Sequence, residues 1–346
     1  MISRRRVLVG LPGLLALAAL GCKRETAASG APAGSGSAGG GQRLRIAMIP
    51  KGTTHEFWKS VHAGAIKAAR ELDVDLVFKG PLKEDDLKQQ IDLVQSFTAQ
   101  NVSGIALAPL NDKALVGSVK AATGAGIPVV IFDSDLQGEA HQSFVATDNR
   151  AAGRLAGERM AKLLGEKGGG VLLLRYQEGS ASTNHREEGF LEAVRAHPEL
   201  KVLSDNQYGG ATTETAFSAS ENLLMAKNAA NGAVQGVFCP NESTTFGMLL
   251  ALEKGKLGGK VRFIGFDASD KLVQALRSNA LDALVLQNPF NMGYLTVKTL
   301  VAKLRGQPIE RRIDTGSRVV DRENMEQPEV RELLKPDLER WLGKEG

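Results

Sequence analysis

The chain has too little of several things for several kinds of protein. Its two cysteines, Cys22 and Cys239, cannot brace a disulfide scaffold. Cys239 sits in Val237-Phe238-Cys239-Pro240 with no base beside it and no zinc-type spacing to another ligand, which reads as a buried free thiol. Aromatic residues make up only 5%, so single rings become worth following. The net charge of +4 is contributed by the first 42 residues, where Arg4, Arg5, Arg6, Lys23 and Arg24 face only Glu25. The remainder is neutral, which excludes a binder of nucleic-acid phosphates. No apolar run reaches the roughly 20 residues that a membrane-spanning helix needs. Catalytic signatures are missing as well. His55-Glu56 lacks the second His of a zinc protease, no Walker or G-x-S-x-G motif occurs, and Gly124-Ala125-Gly126 runs into Ile127-Pro128 instead of opening a helix. No cofactor and no metal are expected.

What is present begins with an address. Arg4, Arg5 and Arg6 precede the apolar stretch Val7–Gly21, which is interrupted by Pro12 and Gly13 and is too short to span. Residues 1–21 therefore read as a signal peptide, exported by the general or the twin-arginine route. Ala19-Leu20-Gly21-Cys22 resembles a bacterial lipobox, although Ala19 and Leu20 reverse its usual large-then-small order. Lipid on Cys22 is the expected membrane contact. Residues 22–42 are rich in Gly, Ala and Ser and read as a flexible tether with a reach of roughly 25 Å.

From Leu44 onward, strand and helix patterns alternate. Leu44–Ile49, Val74–Phe78, Gly104–Ala108 and Gly126–Phe132 are near-continuous apolar runs, separated by segments with helical spacing such as Phe57, Val61, Ala65, Ala68 and Leu72. After a break near Phe144–Asn149 the alternation resumes and continues to residue 304. Parallel sheets covered on both faces produce such runs. The expected fold is α/β, with two doubly wound parallel-sheet lobes joined by a three-strand hinge. Residues 43–147 plus 288–316 would form one lobe and 148–287 plus 317–346 the other.

Ligands of open parallel sheets bind beyond the carboxyl ends of the strands. Those ends carry Lys51, with His55, Phe57 and Trp58 just after it; Asp133-Ser134-Asp135; Arg175 and the polar segment Glu178–Asn184; Asn241-Glu242; Asp267; and Gln287-Asn288. A single strand-end Asp or Asn is as readily a helix cap, and Asn241 and Asp267 each precede a helical pattern. Polar ends in both halves point to one shared cleft.

On Ile46–Lys51 with Glu56-Phe57-Trp58, Gly126–Asp133, Ala146–Asn149, Arg186–Phe190, Val237–Glu242, Ile264–Asp267 and Leu286–Pro289, the chain resembles the periplasmic sugar-binding proteins of the ribose-binding type. Those proteins deliver substrates to ATP-binding-cassette importers. The resemblance implies aromatic walls at Phe57 and Trp58, and hydroxyl acceptors and donors at Asp133, Asn241, Asp267 and Gln287. Trp58 is expected to be a stacking wall and not core. Two guanidinium clamps of the ribose binders are replaced, by Ser134 and Asn184, while Arg186 looks like the family's structural arginine. Ile49-Pro50-Lys51 and Asp133-Ser134-Asp135 are instead similar to the rhamnose and autoinducer-2 branch, which adds Lys51. The implied partners are a small sugar-like molecule and the permease subunits of an importer, with the protein acting as a monomer. A receptor feeding a chemotaxis or sensor-kinase pathway shares the same binding chemistry. An exported sugar-modifying enzyme is the remaining alternative. A sugar-responsive repressor is excluded because a signal peptide stands where its DNA-binding helices would be.

Overall fold

A computed structural model describes residues Arg43–Gly343. Cys22, the signal peptide and the tether lie outside the described residues.

The first sheet is built from β1 (Arg45–Ile49), β2 (Asp75–Phe78), β3 (Gly104–Leu107), β4 (Val129–Phe132), β5 (Ser143–Ala146) and β11 (Arg312–Asp314), in the order β11-β5-β4-β3-β1-β2. The second contains β6 (Gly169–Arg175), β7 (Leu200–Tyr208), β8 (Gly236–Phe238), β9 (Arg262–Phe266), β10 (Ala283–Gln287) and β12 (Ser317–Val320), in the order β12-β10-β9-β8-β6-β7. The two orders match strand for strand. All pairings are parallel except β10 with β12. This is the doubly wound architecture expected from the apolar runs.

Period-two alternation sorts each strand's side chains between two helical layers. In the first lobe, Ile46, Met48, Val130 and Phe132 face α1 (Glu56–Leu72) and α9 (Pro289–Leu304), while Ala47, Ile49, Val129 and Ile131 face α2 (Leu87–Ala99) and α3 (Val116–Gly124). In the second, Val171, Leu173 and Phe238 face α4 (Asn149–Leu164) and α5 (Ala181–Arg195). Leu172, Leu174 and Val237 face α6 (Thr213–Ala226), α7 (Glu242–Lys254) and α8 (Asp270–Arg277). Cys239 is free and fully buried in that last layer. Close approach of α1 and α9 depends on glycine. A Cβ at Gly64 would lie 1.8 Å from the Phe290 carbonyl oxygen, and one at Gly293 would lie 2.0 Å from that of Val61.

The chain passes between the sheets three times. It leaves β5 at Ala146 for α4, leaves β10 at Gln287 for α9, and goes from β11 to β12 through Thr315 and Gly316, the glycine at φ 77°. A later segment touches both lobes. Val330 and Leu334 of α10 (Pro328–Leu334) join the core of the second lobe. Trp341, in α11 (Glu339–Leu342), lies 6.1 Å from the Phe290 ring of the first, and the Arg70 guanidinium lies 5.5 Å from its ring.

Local differences from the sequence patterns are small. The stretch near Phe144–Asn149, read as a break, overlaps β5 (Ser143–Ala146), which acquires its register from β4 and β11. Helix α5 starts at Ala181, so the polar segment after Arg175 is helical in its second half. Ala181, Ser182 and Thr183 are buried there, which composition alone does not reveal. Among the described residues no helix is long and apolar enough to cross a membrane.

Candidate functional site

Strand ends from both lobes surround a cavity of about 30 Å³. Of the residues singled out in the sequence, Lys51, His55, Phe57, Trp58, Asp133, Asn241, Asp267 and Gln287 line it. Ser134 lies one bond behind the wall, its Oγ accepting the Ser182 N–H at 3.1 Å. Asn184 does not line the cavity. It sits half-buried on α5 and accepts from Arg175 Nη2 at 3.5 Å, because the early start of that helix turns it aside. Glu84, Tyr176, Ser182, Thr183, Arg186 and Glu242 complete the lining.

Each side chain owes its place to a local rule. Lys51 follows Pro50 at the end of β1. Its buried Nζ stands 3.3 Å from Asp133 Oδ2 and donates to Ser180 Oγ and Ser182 Oγ of the other lobe, at 3.0 Å each. Phe57 and Trp58 occupy the first turn of α1, ring centroids 4.8 Å apart and nearly perpendicular. Trp58 is 2% exposed, packs edge-on to Phe132, and belongs to the first lobe's core as well as to the cavity wall. Asn241 caps α7 by accepting the Thr244 N–H at 3.2 Å. Asp267 caps nothing, since α8 begins after Ser269. Its carboxylate instead accepts from Gln287 Nε2 at 2.7 Å. Arg186, on α5, donates to Asn149 Oδ1 at 2.7 Å and to the Pro240 carbonyl at 2.9 Å. Its guanidinium lies 4.0 Å from the Phe266 ring centre.

Charges meet across the cleft. Glu84, in the loop between β2 and α2, accepts from His55 Nδ1, from Trp58 Nε1 and from Tyr176 OH, each at 2.7 Å. Burial favours the neutral carboxyl, but His55, Lys51 and Tyr176 outweigh it and hold Glu84 down at about 2. Burial likewise disfavours the charged imidazole, yet Glu84, with Glu242 and Asp267, lifts His55 to about 9. Glu242 reaches from the second lobe to the N-terminus of α1, where the backbone N–H groups of Glu56 and Phe57 lie 3.4 and 3.3 Å from its oxygens. Burial, with Asp267 nearby, raises Glu242 to about 7 against the pull of His55. Asp267 is also raised, by burial first, with Arg186 opposing.

Two lining atoms remain without partners although buried: Arg186 Nη2, a donor, and Gln287 Oε1, an acceptor. Buried polar groups are nearly always satisfied, so an unpaired donor and acceptor on one cavity mark a place for a polar molecule. Among the described residues no group of His, Cys, Asp and Glu could hold a metal ion.

Comparison with known proteins bears on this geometry. The family model of the periplasmic binding protein domain matches residues 46–308. The ribose import binding protein of Haemophilus influenzae is 29% identical over 275 residues, covering 80% of this chain and 90% of its own. Among solved structures, the periplasmic component of an ABC-type sugar transport system from Hahella chejuensis is 36% identical with a TM-score of 0.77, covering 80% of this chain and 99% of that one. An ABC transporter solute-binding protein from Agrobacterium vitis, solved with bound D-fucose, is 34% identical with a TM-score of 0.80, covering 84% and 100%.

Proposed function

The chain belongs to the periplasmic binding protein family, whose members are binding proteins and not enzymes, and from that premise we propose that it captures a monosaccharide or similar small polyol between its lobes and delivers it to an ATP-binding-cassette importer. It would work in the periplasm or at the extracytoplasmic face, tethered to a membrane by lipid on Cys22.

The unpaired Arg186 Nη2 and Gln287 Oε1 carry the reading. A hydroxyl group accepts one hydrogen bond and donates another, so a polyol satisfies both where a purely anionic or cationic ligand satisfies one. The rest of the lining suits a sugar too. Phe57 and Trp58 offer apolar surface to C–H faces, while Asp133 and Asp267, one from each lobe, offer acceptors to a hydroxyl rim. A cavity of about 30 Å³ is far below the roughly 300–1,000 Å³ of pockets that hold small-molecule ligands. Entry of a sugar ring therefore requires the lobes to part about their three crossings, and re-closure brings both walls onto the ligand.

A thermal-shift screen of pentoses, hexoses, deoxysugars and polyols tests this. A ligand at 100 times its Kd stabilises by about 2.7 kcal/mol, which raises Tm by a few degrees. A panel that leaves Tm unchanged throughout would sink the proposal.

A further inference from the structure

We propose that Glu84 is the positioning residue of the cleft, a buried carboxylate that fixes two ring side chains of its own lobe and is completed by a third from the opposite lobe. The inference rests on the sugar-binding reading above. Glu84 lies in Pro81-Leu82-Lys83-Glu84-Asp85-Asp86, a run that reads as a solvated charged loop, yet it is only 6% exposed. Its Oε1 accepts from His55 and Trp58, and its Oε2 from Tyr176. Gln177 Nε2 adds a bond to the Glu84 backbone carbonyl at 3.3 Å, also from the second lobe. With three of its roughly four acceptor sites taken, Glu84 acts on a bound sugar chiefly through these rings.

The arrangement has two consequences. The planes of His55 and Trp58 are fixed before a ligand arrives, so little freedom is lost on binding. The Tyr176 bond spans the two lobes, so the carboxylate is fully satisfied only when the cleft is shut, and closure removes the cost of a part-solvated charge. Charged and titratable groups facing this cluster are Lys51, Asp133, Arg186, Glu242 and Asp267, from both lobes. Charge on Glu84 keeps His55 protonated and therefore a donor at both ring nitrogens.

The test uses Glu84→Gln, Glu84→Asp and Tyr176→Phe in the full chain. Trp58 and Trp341 are the only tryptophans, so a proton–nitrogen spectrum contains two indole signals. In the wild type, the Trp58 signal is expected downfield and protected from exchange, and one imidazole is expected to titrate near 9. Glu84→Gln moves that indole signal upfield and brings the imidazole titration well down from about 9. Sugars from D-ribose, D-fucose, D-arabinose and L-rhamnose that stabilise the wild type lose roughly ten- to a hundredfold in affinity. Glu84→Asp, which retains the charge, recovers part of the imidazole shift, and it stands in should Glu84→Gln fail to fold. Tyr176→Phe leaves the indole and imidazole signals in place yet weakens binding several-fold. Wild-type affinity in Glu84→Gln, or unmoved Trp58 and His55 signals, overturns the proposal. If no sugar binds the wild type, the sugar-binding reading fails, while the two resonances still decide whether Glu84 positions the rings.

Discussion

Asp133 and Asp267 occupy the same place in the two lobes. Each is the first residue beyond its strand, β4 or β9, at matching positions in the two sheet orders. Each has left-handed backbone, φ 59° and 66°, and each N–H donates at 3.0 Å to the carbonyl of a valine on the next strand, Val145 or Val285. A non-glycine residue in that conformation costs energy that Asp and Asn bear best. One turn is thus used twice to bring a carboxylate to the cavity from either side.

Asn tolerates the same turn, so Asp133→Asn and Asp267→Asn isolate the charge. Each is expected to weaken sugar binding by about 2 kcal/mol, the scale of a charged hydrogen bond. The stability of the apo protein should diverge between the two. Asp267 has a raised pKa, so its ionisation opposes folding and Asp267→Asn should raise Tm at pH 7. Asp133→Asn should lower it, because Lys51 loses its buried counter-ion. Titration calorimetry beside thermal melts reads both effects. Equal, falling Tm values with unchanged affinity would assign the pair to structure alone.

Glu242 makes stability depend on pH near neutrality. Its folded pKa, about 7, lies above the ordinary glutamate value, so its contribution is fully present below about 4.3 and is lost as pH rises through 7. His55, raised to about 9, contributes fully below about 6.5 and loses that contribution as pH rises through 9. Tm is therefore expected to fall over two windows, from about pH 4.3 to 7 for Glu242 and from about 6.5 to 9 for His55. Glu242→Gln should remove the fall between about 4.3 and 7 and leave the later one. Melts at half-unit intervals would show it, and an unchanged first step in the variant would refute the assignment.

Gly64→Ala should destabilise by about 1–3 kcal/mol, since its methyl meets the Phe290 backbone carbonyl and one helix must move. Urea unfolding measures the loss. Unaltered stability would mean that α1 and α9 separate easily.

Lipid on Cys22 predicts that Cys22→Ser abolishes fatty-acid labelling and releases the protein from membranes, because no other membrane contact is proposed. A variant that stays bound through a salt wash would exclude this anchor.

Much of the architecture was legible because buried parallel strands leave unbroken apolar runs, and the residues just past those runs fall at the cleft. Lys51, Asp133, Asn241, Asp267 and Gln287 were found that way, by position along the chain. Glu84 and Tyr176 were not. The first is hidden in a short charged loop beside Lys83, Asp85 and Asp86, and the second stands among polar residues whose helix begins earlier than composition suggests. Their value comes from contact across 92 positions of sequence, which no local pattern encodes. Asn184 lies off the cavity lining, since its side chain turns toward Arg175. Trp58 resisted division into core or wall because a ring at the first turn of α1 has one edge in each.

The passage of the last helices from one lobe to the other has an optical consequence. Trp58 sits where the lobes meet around the cavity, and Trp341 sits where α11 rests on Phe290 and Arg70. The proposed rotation of the lobes would alter the surroundings of both indoles, one beside the cavity and one against the first lobe's helices. The protein thus carries two native fluorophores at the proposed joint. Replacing either tryptophan would leave the other to follow that rotation from its own position, without any attached dye.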